Sequence, residues 1–401
     1  MINLKRDTNI SIAFFLLAAM LGVFLRFLYV FDISVNYKYI VHAHSHIALL
    51  GWVYVAIITI FYRLYLDQCG AEKYYRIIFW CTQVTLVGML LSFPFQGYAL
   101  FSIIFSTLFL FTSYWYVWFF IKNIPSSYKT TKSYKCIKTA LWYMVVSSVG
   151  PWALGAIMNT LGAGSVWYKL AIYFYLHFQY NGWMILALFG AMFYVLEKQN
   201  LKISNKNFNR FFIGINISIV LTFFLSILWT EPSGFYYFLA GIGCLFQVLA
   251  FILFIKIMLD SGLIANKILS KLQLQIIQTV VVLMTVKIVL QLLSSIPYFA
   301  NLATTILDFT IGYLHWTFLG VISVGLFFFL EYFSLIKIPK KGYYIYMLGF
   351  VLTELFIFYK GMIVWLDLSF FLEYFLLLSI ASVIIFIGIL YCFLFNIKWC
   401  K

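Results

Sequence analysis

The 401 residues are 65% apolar and 22% Phe, Tyr or Trp, and only 10% carry a formal charge. A soluble domain needs about a quarter of its residues charged, so a water-soluble fold is excluded, and apolar content this high excludes disorder. The net charge of +15 comes from basic residues in short stretches between apolar runs, not from a block or a face. That placement excludes nucleic acid as the partner and leaves the lipid bilayer.

Apolar stretches of about 20 residues, each the length of one crossing of a ~30 Å hydrocarbon core, fall at approximately 9–31, 40–63, 75–97, 99–121, 137–160, 168–195, 211–230, 235–258, 272–296, 304–330, 343–363 and 371–396. The first follows a short basic region, as in a signal peptide, but it has no small-residue cleavage site and is expected to stay as a membrane helix. Twelve spans with short connections predict one all-α membrane domain over residues 1–401. With the N-terminus in the cytoplasm, 22 of the 27 Lys and Arg fall on the inner side and two, Lys38 and Lys169, on the outer. Arg26, Lys287 and Lys360 fall inside spans. This is the positive-inside pattern, and it predicts both termini in the cytoplasm.

Six cysteines, Cys69, Cys81, Cys136, Cys244, Cys392 and Cys400, are scattered without a CxxC pair or a CxxCH haem-attachment motif. They read as apolar filler or inert thiols. Only Pro151 lies well inside a predicted span, so the Gly/Pro-broken helices of many secondary transporters are not expected. The methionines form no close cluster that would pass cuprous ion.

All five histidines fall in spans: His42, His44 and His46 in the second, His177 in the sixth, His315 in the tenth. The segments HSHIALLGW (44–52), YLHFQYNGW (175–183) and YLHWTFLGV (313–321) share His-x4-Gly, pairing His46 with Gly51, His177 with Gly182 and His315 with Gly320. These histidines are 131 and 138 residues apart, four spans per step. A four-helix unit used three times, at about 9–121, 137–258 and 272–396, is the simplest account.

In the assigned topology the three spans run from outside to inside, which sets His46, His177 and His315 in one layer about 10–15 Å below the outer boundary. Imidazole at that depth is costly and marks a functional site by default. Three related ones point to haem iron or a metal ion such as copper, held where an apolar shell excludes water. The glycine after each histidine admits a neighbouring helix or a flat ligand. Trp52, Trp183 and Trp316 stand nearby, as packing for a macrocycle or as core filler. His42 and His46 share one face of the second span while His44 points about 160° away, so the run HAHSH offers imidazole on two sides. Among the charges inside spans, Lys287 and Glu354 are expected to neutralise each other, or else to serve proton movement. Lys360 is expected to snorkel from a helix end, and Arg26 to be structural or to pair with Asp32 or a propionate.

Twelve spans, a four-helix unit used three times and histidines on spans 2, 6 and 10 resemble the catalytic subunit (subunit I) of the haem–copper oxidases. That superfamily includes the nitric oxide reductases and has the NnrS-type haem- and copper-binding membrane proteins nearby. The segment HAHSHIALLGWVYVAIITIFYRL (42–64) looks like a family helix bearing His-x-His followed by Leu-Gly-Trp. The resemblance implies that spans 2 and 10 each give one histidine to a low-spin haem b. In this chain those are His42, His44 or His46, with His46 favoured, and His315, with Gly51, Trp52 and Gly320 around them. His177 then takes the place of the first copper-ligating histidine, and a metal would involve His177, His46 and His315. The chain departs from the family in span 7, FFIGINISIVLTFFLSILWT (211–230), which lacks the histidine pair for copper, and in span 10, which has His315 alone where the family has His-x-His. Without those groups the family's scheme for splitting dioxygen is not assembled, and oxygen reduction is not implied.

The resemblance therefore implies a protein of the bacterial inner membrane that binds haem, or haem plus copper. Its expected roles are respiratory electron transfer or nitric oxide and oxygen handling, as an oxidoreductase if an enzyme, beside respiratory-chain subunits or a cytochrome electron donor. Two other classes fit the same residues. One is a proton- or metal-coupled transporter with an intramembrane histidine site, and the other is an oxidase-related assembly or scaffold subunit lacking cofactor.

Overall fold

A computed structural model of the chain describes residues 2–67 and 69–399. Cys400 and Lys401, counted above, lie outside the described residues. Among the described residues there is no strand, and twelve helical spans are long and apolar enough to cross a membrane. They are α1 (Leu4–Phe27), α2 (Tyr37–Leu66), α3 (Glu72–Gln96), α4 (Leu100–Asn123), α5 (Lys132–Thr160), α6 (Val166–Lys198), α7 (Asn205–Thr230), α8 (Gly234–Asp260), α9 (Lys271–Ser294), α10 (Leu307–Tyr332), α11 (Lys340–Leu366) and α12 (Tyr374–Lys398). The protein is an all-helical integral membrane protein. Several helices begin before their apolar cores because polar residues cap them. The Asn3 side chain accepts from the Arg6 N–H at 3.0 Å, Thr131 from Tyr134 at 3.2 Å and Ser204 from Asn207 at 3.3 Å.

The chain divides into two compact units, one of Met1–Pro125 with Leu326–Lys401 and one of Ser126–Gly325. This division does not follow three successive four-helix blocks. In the first unit α1 packs on α12 and on the middle of α2, α3 packs on α4, and α11 on α12. In the second, α5 packs on α6, α7 on α8, and α9 on the middle of α10. Lipid is as apolar as leucine, so such pairs hold by close van der Waals contact, for which small residues are needed. Between α11 and α12 the backbones themselves meet. A Cβ on Gly349 would lie 2.5 Å from the Ile385 nitrogen, and one on Gly388 2.6 Å from that of Tyr346.

The helices are less regular than proline counting implies. α5 is interrupted at Ser148, three residues before Pro151, whose missing N–H leaves the preceding turn open. α2, α6 and α10 each contain a widened π-helical stretch, and α7 tightens into 3₁₀ over Thr222–Thr230. No proline marks these four changes. The three histidine-bearing helices are also the interior ones: their apolar windows are 89%, 94% and 67% buried in α2, α6 and α10, against at most 50% in any other span.

Candidate functional site

In all three interior helices the regular α-helix ends at the histidine. Tyr37–His46 is followed by a π stretch at Ile47–Tyr54, Val166–His177 by one at Phe178–Ile185, and Leu307–His315 by one at Trp316–Ile322. The glycine is the fifth residue of each stretch: Gly51, Gly182 and Gly320. Runs of π-helix this long are rare and cluster at functional sites. Each stretch packs on the preceding odd-numbered helix, α1, α5 or α9. Two of the glycines make the same contact. A Cβ on Gly51 would come within 2.8 Å of Phe14 Cβ and Cγ, and one on Gly182 within 2.8 Å of Tyr143 Cβ and Cγ. Gly182→Ala is therefore expected to destabilise the protein by about 1–3 kcal/mol, since the clash meets the base of a side chain and not a flexible tip. Combined with Tyr143→Ala it should cost less than the two changes added. Thermal melting in detergent measures both, and an unshifted midpoint for Gly182→Ala would refute the contact.

The α2 histidines divide as their spacing dictates. His44 turns to α1, where its Nδ1 donates to the Ala18 carbonyl at 2.8 Å and its ring rests on Gly22. His42 and His46 turn to α3 and the short connection after it. The His46 ring lies 4.4 Å from Phe93 and 5.8 Å from Tyr98, and the His42 ring 4.6 Å from Tyr98. His46 Nδ1 meets the His42 carbonyl at 2.9 Å. A carbonyl only accepts, so Nδ1 carries the hydrogen and Nε2 keeps its lone pair, facing the Tyr98 hydroxyl at 3.3 Å. The neighbouring positions serve packing. Phe14 closes over Gly51, and Phe15 stacks on Trp52 at 4.6 Å with the planes 4° apart.

In the second unit His177 is fully engaged. Its Nε2 donates to the Ile219 carbonyl at 2.8 Å, and its Nδ1 accepts from Asn181 Nδ2 at 3.3 Å. Ile219 stands just before α7 changes to 3₁₀, so His177 takes a carbonyl where the ladder is being rearranged. Asn181 Oδ1 accepts from Lys287 Nζ at 2.8 Å, and the same ammonium donates to Gln291 Oε1 at 2.5 Å. The rings of Tyr180 and Tyr313 lie 6.0 and 5.8 Å from Nζ. Lys287 is completely buried. The result is one continuous chain, Gln291–Lys287–Asn181–His177–Ile219, in which each donor faces an acceptor. Alongside it Gln179 Nε2 donates to Ser147 Oγ on α5 at 2.9 Å. His315 is half-buried at its α/π junction. Beside it the Trp316 indole N–H holds the Leu283 carbonyl of α9 at 2.8 Å, and Gly320 is buried.

The expected pairing of Lys287 with Glu354 does not hold, because Lys287 is satisfied by two amide oxygens of its own unit. Neither residue, nor Arg26 with Asp32, is in an ion pair among the described residues. Both Glu354 carboxyl oxygens are buried without a hydrogen-bond partner among the described residues. Among the same residues no group of three or more His, Cys, Asp or Glu is placed to hold a metal ion. Sequence reading passed over Asn181, Gln291 and Tyr98. For the first two a signal was present: His177/Asn181 and Lys287/Gln291 are polar pairs four residues apart, on one helix face, within strongly apolar spans. Compared with known proteins, the chain matches no protein-family model and no curated protein.

Proposed function

We propose that the chain is a haem-binding membrane protein built like the catalytic subunit of the oxidases, from a four-helix unit used three times, and that it carries electrons in a respiratory membrane. The observation that carries this reading is the recurrence of one local build at three places in the chain: histidine, π stretch, glycine in fifth position, packing on the preceding helix. The 22-to-2 distribution of basic residues supports a bacterial inner membrane with both termini cytoplasmic.

His46 fits a haem ligand. Its Nδ1–H is anchored on the His42 carbonyl, the outer hydrogen bond that metal-bound imidazoles use to fix ring orientation and raise basicity. His315 stands at the corresponding α/π junction of α10, in the second unit. A haem so held would supply one-electron exchange. His177 does not fit a copper ligand, because both its nitrogens are already hydrogen-bonded within the protein, and no step is assigned to copper. Gly51 and Trp52, covered by Phe14 and Phe15, brace α2 against α1 instead of flanking a macrocycle. The optical spectrum of the purified full-length protein tests the reading. A Soret band that sharpens on dithionite reduction is expected, and its absence, with no metal by elemental analysis, would overturn the proposal.

A second reading, a proton-coupled transporter, is favoured by the buried Lys287 and its hydrogen-bonded chain to His177. Ionisable groups at such depth commonly serve proton relays. It predicts uptake into proteoliposomes driven by a proton gradient, in a protein without a chromophore.

A further inference from the structure

His46 and its surroundings hold a second feature. The one lone pair left on this imidazole faces a hydrogen-bond donor. Tyr98 places its hydroxyl 3.3 Å from Nε2, and because Nδ1 carries the ring hydrogen, the phenol is the donor. Its ring stands edge-on between the two imidazoles, 4.6 Å from His42 and 5.8 Å from His46, with Phe93 5.0 Å away on the third side.

The backbone beneath it is fixed. Tyr98 belongs to the connection between α3 and α4, and Gly97 before it has φ +59°, a conformation that favours glycine. A Cβ on Gly97 would also fall 2.4 Å from Tyr39 Cε1. Ser102 Oγ ties the turn from the α4 side, donating to the Gly97 carbonyl at 2.6 Å and accepting from the Ala99 N–H at 2.9 Å. Yet Tyr98 itself is 43% exposed. A rigid turn carrying an exposed side chain opens by rotation of that side chain alone, a faster motion than loop rearrangement.

We propose that Tyr98 is a one-residue lid over His46 Nε2, so that any electrophile or metal centre reaching this nitrogen must first displace the Tyr98 hydroxyl. The inference concerns access and stands on the hydrogen-bond geometry. Its consequence for haem loading rests on the reading of His46 as a ligand.

The test uses the full-length protein in detergent and the Tyr98→Phe variant, which removes one oxygen and keeps the ring packed on His42 and Phe93. The first probe is diethyl pyrocarbonate, which acylates the free nitrogen of a neutral imidazole, with peptide mass spectrometry reporting each histidine. Acylation of His46 should run about fivefold faster in Tyr98→Phe, the factor that one ordinary hydrogen bond is worth. The rates at His44, which turns to Ala18 of α1, and at His177, whose two nitrogens bond to Ile219 and Asn181, should not change. An unchanged rate at His46, or an equal acceleration at all histidines, overturns the lid. The second probe is ferric haem added to haem-depleted protein. Faster loading of Tyr98→Phe supports both the lid and the ligand assignment. Faster acylation without faster loading keeps the lid and removes His46 as the haem ligand.

Discussion

If the proposed haem is bound, replacing His46 by alanine should abolish its absorption band, while replacing His42 or His44 by alanine should leave it in place. The three residues lie within one helical turn and a half, so composition cannot separate them, but their hydrogen bonds do. His42 supports His46 through its backbone carbonyl, which an alanine at 42 still supplies. His44 bonds to the Ala18 carbonyl, so His44→Ala loses a contact between α1 and α2 worth about 1 kcal/mol and lowers the melting temperature without touching the band. His177→Ala should likewise spare the band, since neither of its nitrogens is open. Absorption spectra of the four variants, each normalised to protein, measure this pattern. A band lost in His44→Ala and kept in His46→Ala would reverse the assignment and would mean that the Ala18 contact is broken in the loaded protein.

The spans were legible because crossing a bilayer demands a run of apolar residues whose length is fixed by membrane thickness, and such runs leave no ambiguity of period. Their ends were less so. The apolar core of α1 begins at about residue 9, whereas the helix begins at Leu4, because Asn3 caps it and charged residues at the interface continue it. The division of α2 into two histidine faces follows directly from the 100° step of the helix, which also places His46 beside His42. The π stretches had no such signal. They depend on packing against α1, α5 and α9, and only the recurring His-x4-Gly pointed to them. The Lys287 environment could not be read because an ammonium donates to any oxygen within reach, and the Asn181 and Gln291 amides of its own unit are the ones that meet it. Tyr98 was invisible for a related reason: a tyrosine in a three-residue connection carries no period, and its register over His46 is set by the positive φ at Gly97.

Asn181→Leu is expected to be the most destabilising single substitution in the second unit, at about 3 kcal/mol or more, although it exchanges one buried side chain for another of similar volume. It removes both the acceptor for the Lys287 ammonium at 2.8 Å and the donor to His177 Nδ1 at 3.3 Å. Leaving a buried charge without its partner costs more than the net worth of the bond, because the full desolvation penalty reappears. Gln291 Oε1 remains as an acceptor, and the faces of Tyr180 and Tyr313 soften the loss, but Gln291 does not replace the donor to His177 Nδ1. The companion change decides the cause. Lys287→Met removes the charge itself and leaves two amide oxygens that can turn to other donors, so its cost should be clearly smaller than that of Asn181→Leu. The double variant Asn181→Leu with Lys287→Met should then be more stable than Asn181→Leu alone, since replacing a whole buried polar set by apolar groups is often neutral. Unfolding of the four proteins in one detergent gives the coupling directly. If Asn181→Leu proves harmless, or if the double variant is the weakest of the set, the ammonium is not what Asn181 holds. The same variants also separate structure from proton movement: a lysine kept only to fix α9 against α6 is replaceable by methionine with function retained, whereas one that exchanges protons is not, however stable the variant.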